Sequence, residues 1–308
     1  MSTVIILKQM CVIAILVAIG VYLYKRNIID NSVSPRLSAI TMDICNPALI
    51  MSSVLTGNIT APREKLLVSI GLGVVIYGTL IGLGFLLPHI LRVKRDERKF
   101  FNMMAVYTNI GFIGIPVARA VLPDNAMLYV IVSNVIFCLL FYTHGIVVLS
   151  GGKEKINLKK IVSPGTVMAV LTLLIFWFDL KLPLILENSV VYVGNATTFL
   201  SMTLLGVAIA RSDIREGIKD LRVYAYIFIR MLCIPLIVAF ILTLIKADRD
   251  MTLAFVLLMS MPVANLPLIQ AEKTGEDTSI LSRYIMMTTL VSLVTITVMI
   301  SIVTAMTA

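Results

Sequence analysis

Ten apolar stretches occupy most of this 308-residue chain. A helix of about 20 apolar residues crosses the hydrocarbon core of a bilayer while its backbone satisfies its own hydrogen bonds. The sequence therefore predicts an all-α polytopic membrane protein with ten transmembrane helices and no separate soluble domain. The predicted spans, to within a few residues, are 4–24, 36–56, 66–90, 100–122, 125–149, 164–184, 189–210, 221–245, 251–272 and 280–303.

Composition supports a membrane protein and argues against other classes. Hydrophobic residues make up 59% of the chain and charged residues 14%, against about 45–50% and about 25% in a soluble domain. The net charge of +9 lies mainly in short loops between spans, so it predicts orientation in the bilayer and no nucleic-acid partner. The four cysteines and two histidines lack disulfide or metal-ligand spacing, which predicts free thiols and no metal site.

Lys and Arg residues are distributed unevenly over the two sides of the predicted bundle. Of the 26, eighteen lie in or beside the loops that follow odd-numbered spans, six lie on the opposite side, and Arg119 and Arg230 lie inside spans. The positive-inside rule then places the odd-numbered loops in the cytoplasm. This predicts a multi-pass plasma (inner) membrane protein with both termini outside. No small-residue cleavage site follows the first apolar run, so we interpret it as a span and not as a signal peptide.

The fourth and ninth spans each contain residues that break helices. Span four carries NIGFIGIP, from Asn109 to Pro116, and we expect its helix to kink or open near Gly114. Span nine carries MPVANLP, from Met261 to Pro267. Broken spans in the two halves of a chain indicate the binding site of a secondary transporter, near the bilayer midplane where the two spans cross.

The two halves of the chain have the same layout. An offset of 151 residues relates the break of span four to that of span nine. Each half has five predicted spans, so the second half must enter the membrane upside down. The sequence therefore predicts two inverted five-helix repeats, residues 1–149 and 150–308, with spans four and nine as crossed broken helices.

The candidate substrate-binding residues lie in these breaks and in span two. Helix N-termini that end within the membrane favour an anion, whereas carbonyls freed by prolines favour a donor or a cation. Asn46 precedes a proline in span two, where a scaffold kink and a ligand contact are equally good interpretations. The candidates are Asn46, Asn109, Gly111, Gly114, Pro116, Pro262, Asn265, Pro267 and Gln270.

Two charged residues are predicted to lie deep in the bilayer. Asp43 lies seven residues into span two and Arg230 nine residues into span eight, which corresponds to depths of about 10 and 13 Å at the rise of a helix. Charges at such depth usually pair with each other or line a pathway. The sequence leaves open a structural ion pair between them, a proton-coupling role for Asp43, and a carboxylate contact for Arg230.

Enzyme motifs are absent from the sequence. It contains no GxSxG, Walker or HExxH motif, and no glycine-rich nucleotide motif in a strand context. We therefore expect no enzymatic activity and no cofactor. Transport would then be passive or driven by a gradient, with coupling to H⁺ or Na⁺ left open.

The motifs of spans two, four and nine resemble those of the auxin efflux carrier family, which includes plant PIN carriers and bacterial malate or malonate permeases. In span four, Asn109 and Gly114-Ile115-Pro116 match the family pattern. The two prolines of MPVANLP resemble the family's ninth-span pattern, and CNPALIM resembles its second span. Val263 and Phe199 depart from the family's patterns, and the chain lacks the long central loop of the plant carriers.

The resemblance implies a ten-span fold of two inverted repeats with elevator-type alternating access. Spans one, two, six and seven would form a scaffold that mediates a homodimer, and spans three to five and eight to ten would form the transport part. Asn109 would contact a substrate carboxylate. The function we expect is therefore secondary transport of a small carboxylate-bearing organic anion, auxin-like or a dicarboxylate, across the lipid bilayer.

Two alternatives come from other functional classes. A sodium/proton antiporter can share the crossed-helix fold, but such antiporters place acidic residues at the crossing, and neither break here carries one. A membrane receptor or scaffold that binds a ligand without moving it is also compatible with the sequence.

Overall fold

The computed structural model describes residues 3–151, 162–211, 214–273 and 276–307. Within these ranges the chain is helical, and its β-structure there is one isolated bridge between Thr108 and Val263. The helices are α1 (Thr3–Lys25), α2 (Val33–Leu55), α3 (Glu64–Ile90), α4 (Arg98–Val106), α5 (Ile110–Val121), α6 (Asp124–Leu149), α7 (Pro164–Phe178), α8 (Leu184–Arg211), α9 (Ile214–Lys219), α10 (Leu221–Leu244), α11 (Arg249–Met259), α12 (Leu266–Lys273) and α13 (Ser279–Met306).

Seven of the described helices are long and apolar enough to cross a membrane, namely α1, α2, α3, α6, α8, α10 and α13. This confirms the prediction of an all-helical polytopic membrane protein. Two shorter apolar helices, α5 and α7, accompany them. Predicted span four comprises α4 and α5, and predicted span nine comprises α11 and α12. The count of ten spans and their arrangement as inverted repeats stay predictions.

The two broken spans lie at the centre of the bundle. Residues Phe100–Val106 of α4 and Met251–Met259 of α11 are all buried. Most of α6 is buried as well, whereas α3, α7 and α10 expose many large apolar side chains. A helix that is surrounded by other helices is buried on every face, and a helix that faces lipid exposes apolar side chains to it.

The helices pack in two groups. In the first, α8 contacts α1 and α2, and α2 contacts α7; in the second, α4 contacts α3, and α11 contacts α6, α10 and α13. Within the first group, glycines allow α1 and α8 to approach each other closely. A Cβ added to Gly206 of α8 would lie 2.0 Å from the Val17 carbonyl oxygen of α1. Small residues at such crossings let helix backbones approach each other in membranes. The first group comprises spans one, two, six and seven, although its role as a scaffold stays a prediction.

In several helices a wide π-turn ends two residues before a proline. The turns Thr41–Cys45, Ile110–Gly114 and Phe228–Cys233 precede Pro47, Pro116 and Pro235. A proline lacks its N–H and clashes with the carbonyl four residues earlier, and a wider turn relieves both problems. Of the two alternatives for span four, a kink or an opening near Gly114, the opening is wrong, because α5 continues to Val121. The helix is irregular there in another way, since the wide turn that accommodates Pro116 ends at Gly114.

Candidate functional site

The breaks of the two central spans are joined directly through their backbones. The Asn109 N–H donates to the Pro262 carbonyl at 2.8 Å, and the Ala264 N–H donates to the Tyr107 carbonyl at 3.1 Å. These bonds flank the antiparallel bridge between Thr108 and Val263. Backbone groups freed from a helix within the membrane must find partners inside the protein. Here each break supplies partners for the other, so span four opens at residues 107–109 and not at Gly114.

A cavity of about 320 Å³ lies against this junction. The first residues of three helices line it: Ile110–Phe112 of α5, Leu266 of α12 and Pro164–Thr166 of α7. The cavity also contacts α2 and α6. Its full lining is Ser38, Met42, Asp43, Asn46, Thr108, Asn109, Ile110, Gly111, Phe112, Asn134, Phe137, Cys138, Tyr142, Ser163, Pro164, Gly165, Thr166, Ala264, Asn265, Leu266 and Ile269.

The electrostatics of the cavity are set by helix ends and amides. Asp43 is its one charged lining side chain among the described residues, and no Lys, Arg or His joins it there. A helix N-terminus carries about half a positive charge, and its first N–H groups have no partner within the helix. Two of these groups are capped by side chains here, the Phe112 N–H by Asn109 and the Thr166 N–H by Ser163. The cavity therefore combines a positive backbone environment with one carboxylate, and Asp43 itself is exposed.

Asn109 caps the N-terminus of α5. Its Oδ1 accepts from the Phe112 N–H at 3.3 Å, as asparagine commonly does at this position. This bond orients the amide and leaves its NH₂ group as the remaining donor. Asn109 is 6% exposed and lines the cavity, so the donor can reach a bound ligand.

Asn46 approaches the same helix end from α2. A methyl group at Gly111 would lie 3.7 Å from Asn46 Nδ2 and 3.4 Å from Met42 Cε. Asn46 Oδ1 is buried and has no hydrogen-bond partner among the described residues. An unpaired buried polar atom costs roughly 1–3 kcal/mol, which is a cost that a ligand or a water in the cavity would remove.

The structure brings together about half of the predicted site. Asn46, Asn109, Gly111, Asn265 and the possible coupling residue Asp43 line the cavity. The other candidates are not among its lining residues. Gly114 packs against Leu258 and Met261, and Pro116 lies within α5. Pro262 lies at the backbone junction, Pro267 in the first turn of α12, and Gln270 is buried further along α12.

Arg230 lies elsewhere and does not pair with Asp43. Its guanidinium is 1% exposed and donates from Nε to the Ala105 carbonyl and from Nη1 to the Met259 carbonyl, both at 2.6 Å. Arg230 is not among the cavity-lining residues. In this structure Arg230 therefore neither pairs with Asp43 nor lines the cavity, and a role for it in transport stays a prediction.

Asn134 is a cavity residue that sequence reasoning missed. It lies in α6, is 6% exposed and lines the cavity. A carboxamide in the middle of a 26-residue apolar helix is itself a signal, because polar groups within the membrane usually face a partner or a cavity. Ser163 and Thr166 were also missed; they belong to the N-terminal cap of α7, which only the three-dimensional packing brings to the site.

A polytopic helical fold with a polar cavity at two joined helix breaks is typical of membrane transport proteins. The chain belongs to the family described as "Membrane transport protein", whose model matches residues 5–300. This is the auxin efflux carrier-like family that the motifs resemble. The chain is also similar to an uncharacterized transporter, MJ1031, of Methanocaldococcus jannaschii, with 23% identity over 223 residues that cover 67% of this chain and 70% of the relative.

Proposed function

We propose that this membrane transporter is a secondary transporter of small carboxylate-bearing organic anions, auxin-like or dicarboxylate. The observation that carries the proposal is the convergence of three helix N-termini, those of α5, α7 and α12, on one cavity whose described lining contains no basic side chain. Unpaired N–H groups and the positive end of the helix dipole make a helix N-terminus suitable for binding an anion. The amides of Asn109, Asn46 and Asn265 add donors for carboxylate oxygens.

The size and lining of the cavity favour a small ligand with an apolar part. A volume of about 320 Å³ is at the lower end of the range of roughly 300–1,000 Å³ for small-molecule sites. Phe112, Phe137 and Tyr142 supply aromatic side chains to the cavity lining. A ring-bearing acid would use this aromatic surface, and a short dicarboxylate would use the amides and helix ends.

We propose elevator-type alternating access because of where the cavity lies. α2 and α7 from the first packing group line it together with α6 from the second group and with α5 and α12, the helices that follow the two breaks. Sliding of the second group along the first would carry the breaks and their ligand across the membrane. In this proposal the protein lies in the plasma membrane, the cavity opens toward the cytoplasm, and the first group mediates a homodimer.

Asp43 is the group we propose for coupling to H⁺ or Na⁺. It is the one carboxylate lining the cavity among the described residues, and it lies on α2. A sodium/proton antiporter of the same fold is the less favoured alternative, because it would need acidic residues in the breaks and the segments 107–110 and 260–266 contain none.

Uptake into proteoliposomes tests the anion proposal. Purified protein would be reconstituted and assayed with labelled malate, malonate and indole-3-acetate, alone and in competition. We expect saturable uptake of at least one acid, and its loss in Asn109→Ala, while the exposed Asn188→Ala in α8 serves as the matched control. Unchanged uptake by Asn109→Ala would remove the cavity from the transport path, and sodium flux without acid flux would favour the antiporter.

A further inference from the structure

A single buried cation contacts the C-terminal ends of both broken helices. Arg230 of α10 donates to the carbonyls of Ala105 and Met259, each at 2.6 Å. Ala105 is the penultimate residue of α4, and Met259 is the last residue of α11. Distances this short are expected where the donor carries a full charge. The guanidinium has planar, fixed N–H directions, so it holds the two carbonyls at a defined separation.

Neighbouring side chains complete the caps on the same two helices. Tyr226, one turn before Arg230, donates its hydroxyl to the Met104 carbonyl at 2.7 Å. Thr108 donates its hydroxyl to the Leu258 carbonyl at 2.9 Å. The last carbonyls of a helix have no partner within the helix and must find one elsewhere. At this crossing, α10 supplies partners to α4 and α11 through side chains that share one helical face.

The charge of Arg230 matches the charge of the two helix ends. The C-terminus of a helix carries about half a negative charge, so the ends of α4 and α11 together carry about one. No carboxylate pairs with Arg230 among the described residues. A buried guanidinium is stable only with such compensation, and here the two helix ends provide it.

The negative end of α4 lies close to the positive end of α5. Only residues 107–109 separate Val106, the last residue of α4, from Ile110, the first residue of α5. An uncompensated negative end at this distance would offset the attraction of the α5 N-terminus for an anion. The same holds for α11 and α12 across residues 260–265.

We propose that Arg230 is a positioning residue of the transport site. It fixes the C-terminal ends of α4 and α11 relative to each other and neutralises them, which leaves the N-terminal ends of α5 and α12 as the net charge facing the cavity. The electrostatic part of this proposal depends on the proposed anion transport, whereas the positioning part does not.

The test combines a distance measurement with transport kinetics. Spin labels at Arg95→Cys, just before α4, and Arg249→Cys, at the start of α11, would be introduced after replacement of the four native cysteines. Pulsed electron paramagnetic resonance would then compare Arg230, Arg230→Lys and Arg230→Met. We expect one narrow distance distribution with Arg230 and a broader or shifted one with Met. Lysine keeps the charge but lacks the fork that spans both carbonyls, so we expect it to broaden the distribution as well.

The kinetic expectations separate charge from geometry. Loss of the charge that neutralises the ends of α4 and α11 weakens the attraction for an anion, which predicts a rise in KM of about threefold to tenfold for Arg230→Met. Arg230→Lys should keep KM within about threefold of the parent and lower the maximal rate instead, since the charge stays and the separation is lost. Arg119→Gln is the control, because Arg119 pairs with Asp124 at the far end of α5 and its loss should leave KM and the distance distribution unchanged.

Each outcome decides one part of the proposal. A distance distribution that is unchanged in both variants would overturn positioning, and an unchanged KM in Arg230→Met would overturn the electrostatic part. A distribution that broadens in a protein that takes up no organic anion would support positioning and reject the proposed function. If Arg230→Met does not fold, Tyr226→Phe removes one donor to the same helix end and should broaden the distribution to a smaller degree; no broadening there would also count against positioning.

Discussion

Lys65 forms an ion pair with Asp248, which accepts from two N–H groups at the N-terminus of α11. Lys65 is the second residue of α3, and Asp248 immediately precedes α11. A second pair has the same layout: Arg222 is the second residue of α10, Glu97 immediately precedes α4, and their charged atoms lie 3.9 Å apart. Glu97 and Asp248 are 151 residues apart, which is the offset that aligns the sequence motifs of spans four and nine, and Lys65 and Arg222 are 157 residues apart. The inverted repeat, which stays a prediction, would relate these two pairs to each other.

An inverted repeat predicts that the two pairs face opposite sides of the membrane. Single cysteines at Lys65 and Arg222 would be labelled with a membrane-impermeant maleimide in intact cells and in inverted vesicles, in a protein lacking its native cysteines. We expect Lys65→Cys to react from outside and Arg222→Cys from the cytoplasmic side. Labelling of both cysteines from one side would contradict the repeat and the predicted orientation.

Gly206 is predicted to be intolerant of any side chain. Its added Cβ would lie 2.0 Å from the Val17 carbonyl and 2.9 Å from the Gly20 Cα, so α1 and α8 would have to separate. Overpacking of this kind costs roughly 1–3 kcal/mol, and we expect Gly206→Ala to lower the melting temperature in detergent. Gly78→Ala in α3 is the control, because nothing lies within 4 Å of its added Cβ; equal melting of the two variants would contradict the prediction.

Asn46→Ala is predicted to separate stability from function. The substitution removes a buried amide oxygen that has no partner among the described residues, so we expect an unchanged or higher melting temperature. It also removes a group that lines the cavity, and the loss of one hydrogen bond to a charged ligand corresponds to a decrease in affinity of about tenfold or more. Lower stability with normal uptake would identify Asn46 as a structural residue.

Asp43→Asn is predicted to uncouple transport from its driving ion. Asparagine has nearly the same shape but does not titrate and does not carry a negative charge. We expect the variant to exchange internal for external substrate and to lose its response to imposed pH or sodium gradients. A gradient response equal to that of the parent would exclude Asp43 as the coupling group.

Asp220 is predicted to make the protein sensitive to acid. Burial raises the pKa of Asp220, but hydrogen bonds from Arg222 and the charges of Arg222 and Arg283 outweigh burial and hold the pKa below its ordinary value. A depressed pKa means that the stabilisation is present above the unfolded-state pKa, about 3.9, and disappears as the pH falls through the folded-state value. We therefore expect part of the loss of melting temperature on acidification to be absent in Asp220→Asn; identical pH profiles would assign that loss to other groups.

The helical fold could be predicted from the sequence because long apolar segments leave a chain few options in a bilayer. The position of the break in span four could not. The glycines and the proline of the motif suggested a break near Gly114. In the structure a π-turn accommodates Pro116, and the helix opens where Thr108 pairs with Val263. That contact joins residues 155 positions apart, and no local pattern encodes it.

The site was predictable only in part for a related reason. Asn109 and Asn265 stood out because polar residues at a helix break have few structural uses. The role of Arg230 did not, because its partners are the backbone carbonyls of Ala105 and Met259, and every residue has a carbonyl. Asn134 could have been found from its polarity within an apolar span.

The junction between Thr108 and Val263 has a consequence for biosynthesis. At an elongation rate of about 5–20 residues per second, residue 263 is made roughly 8–30 s after residue 108. During that interval the backbone donors and acceptors at residues 107–109 have no Pro262 or Ala264 to bond with, and hydrocarbon offers no substitute. The central junction can therefore form only after residue 264 has been made, and until then span four stays unpaired at residues 107–109, in the membrane or beside the insertion machinery.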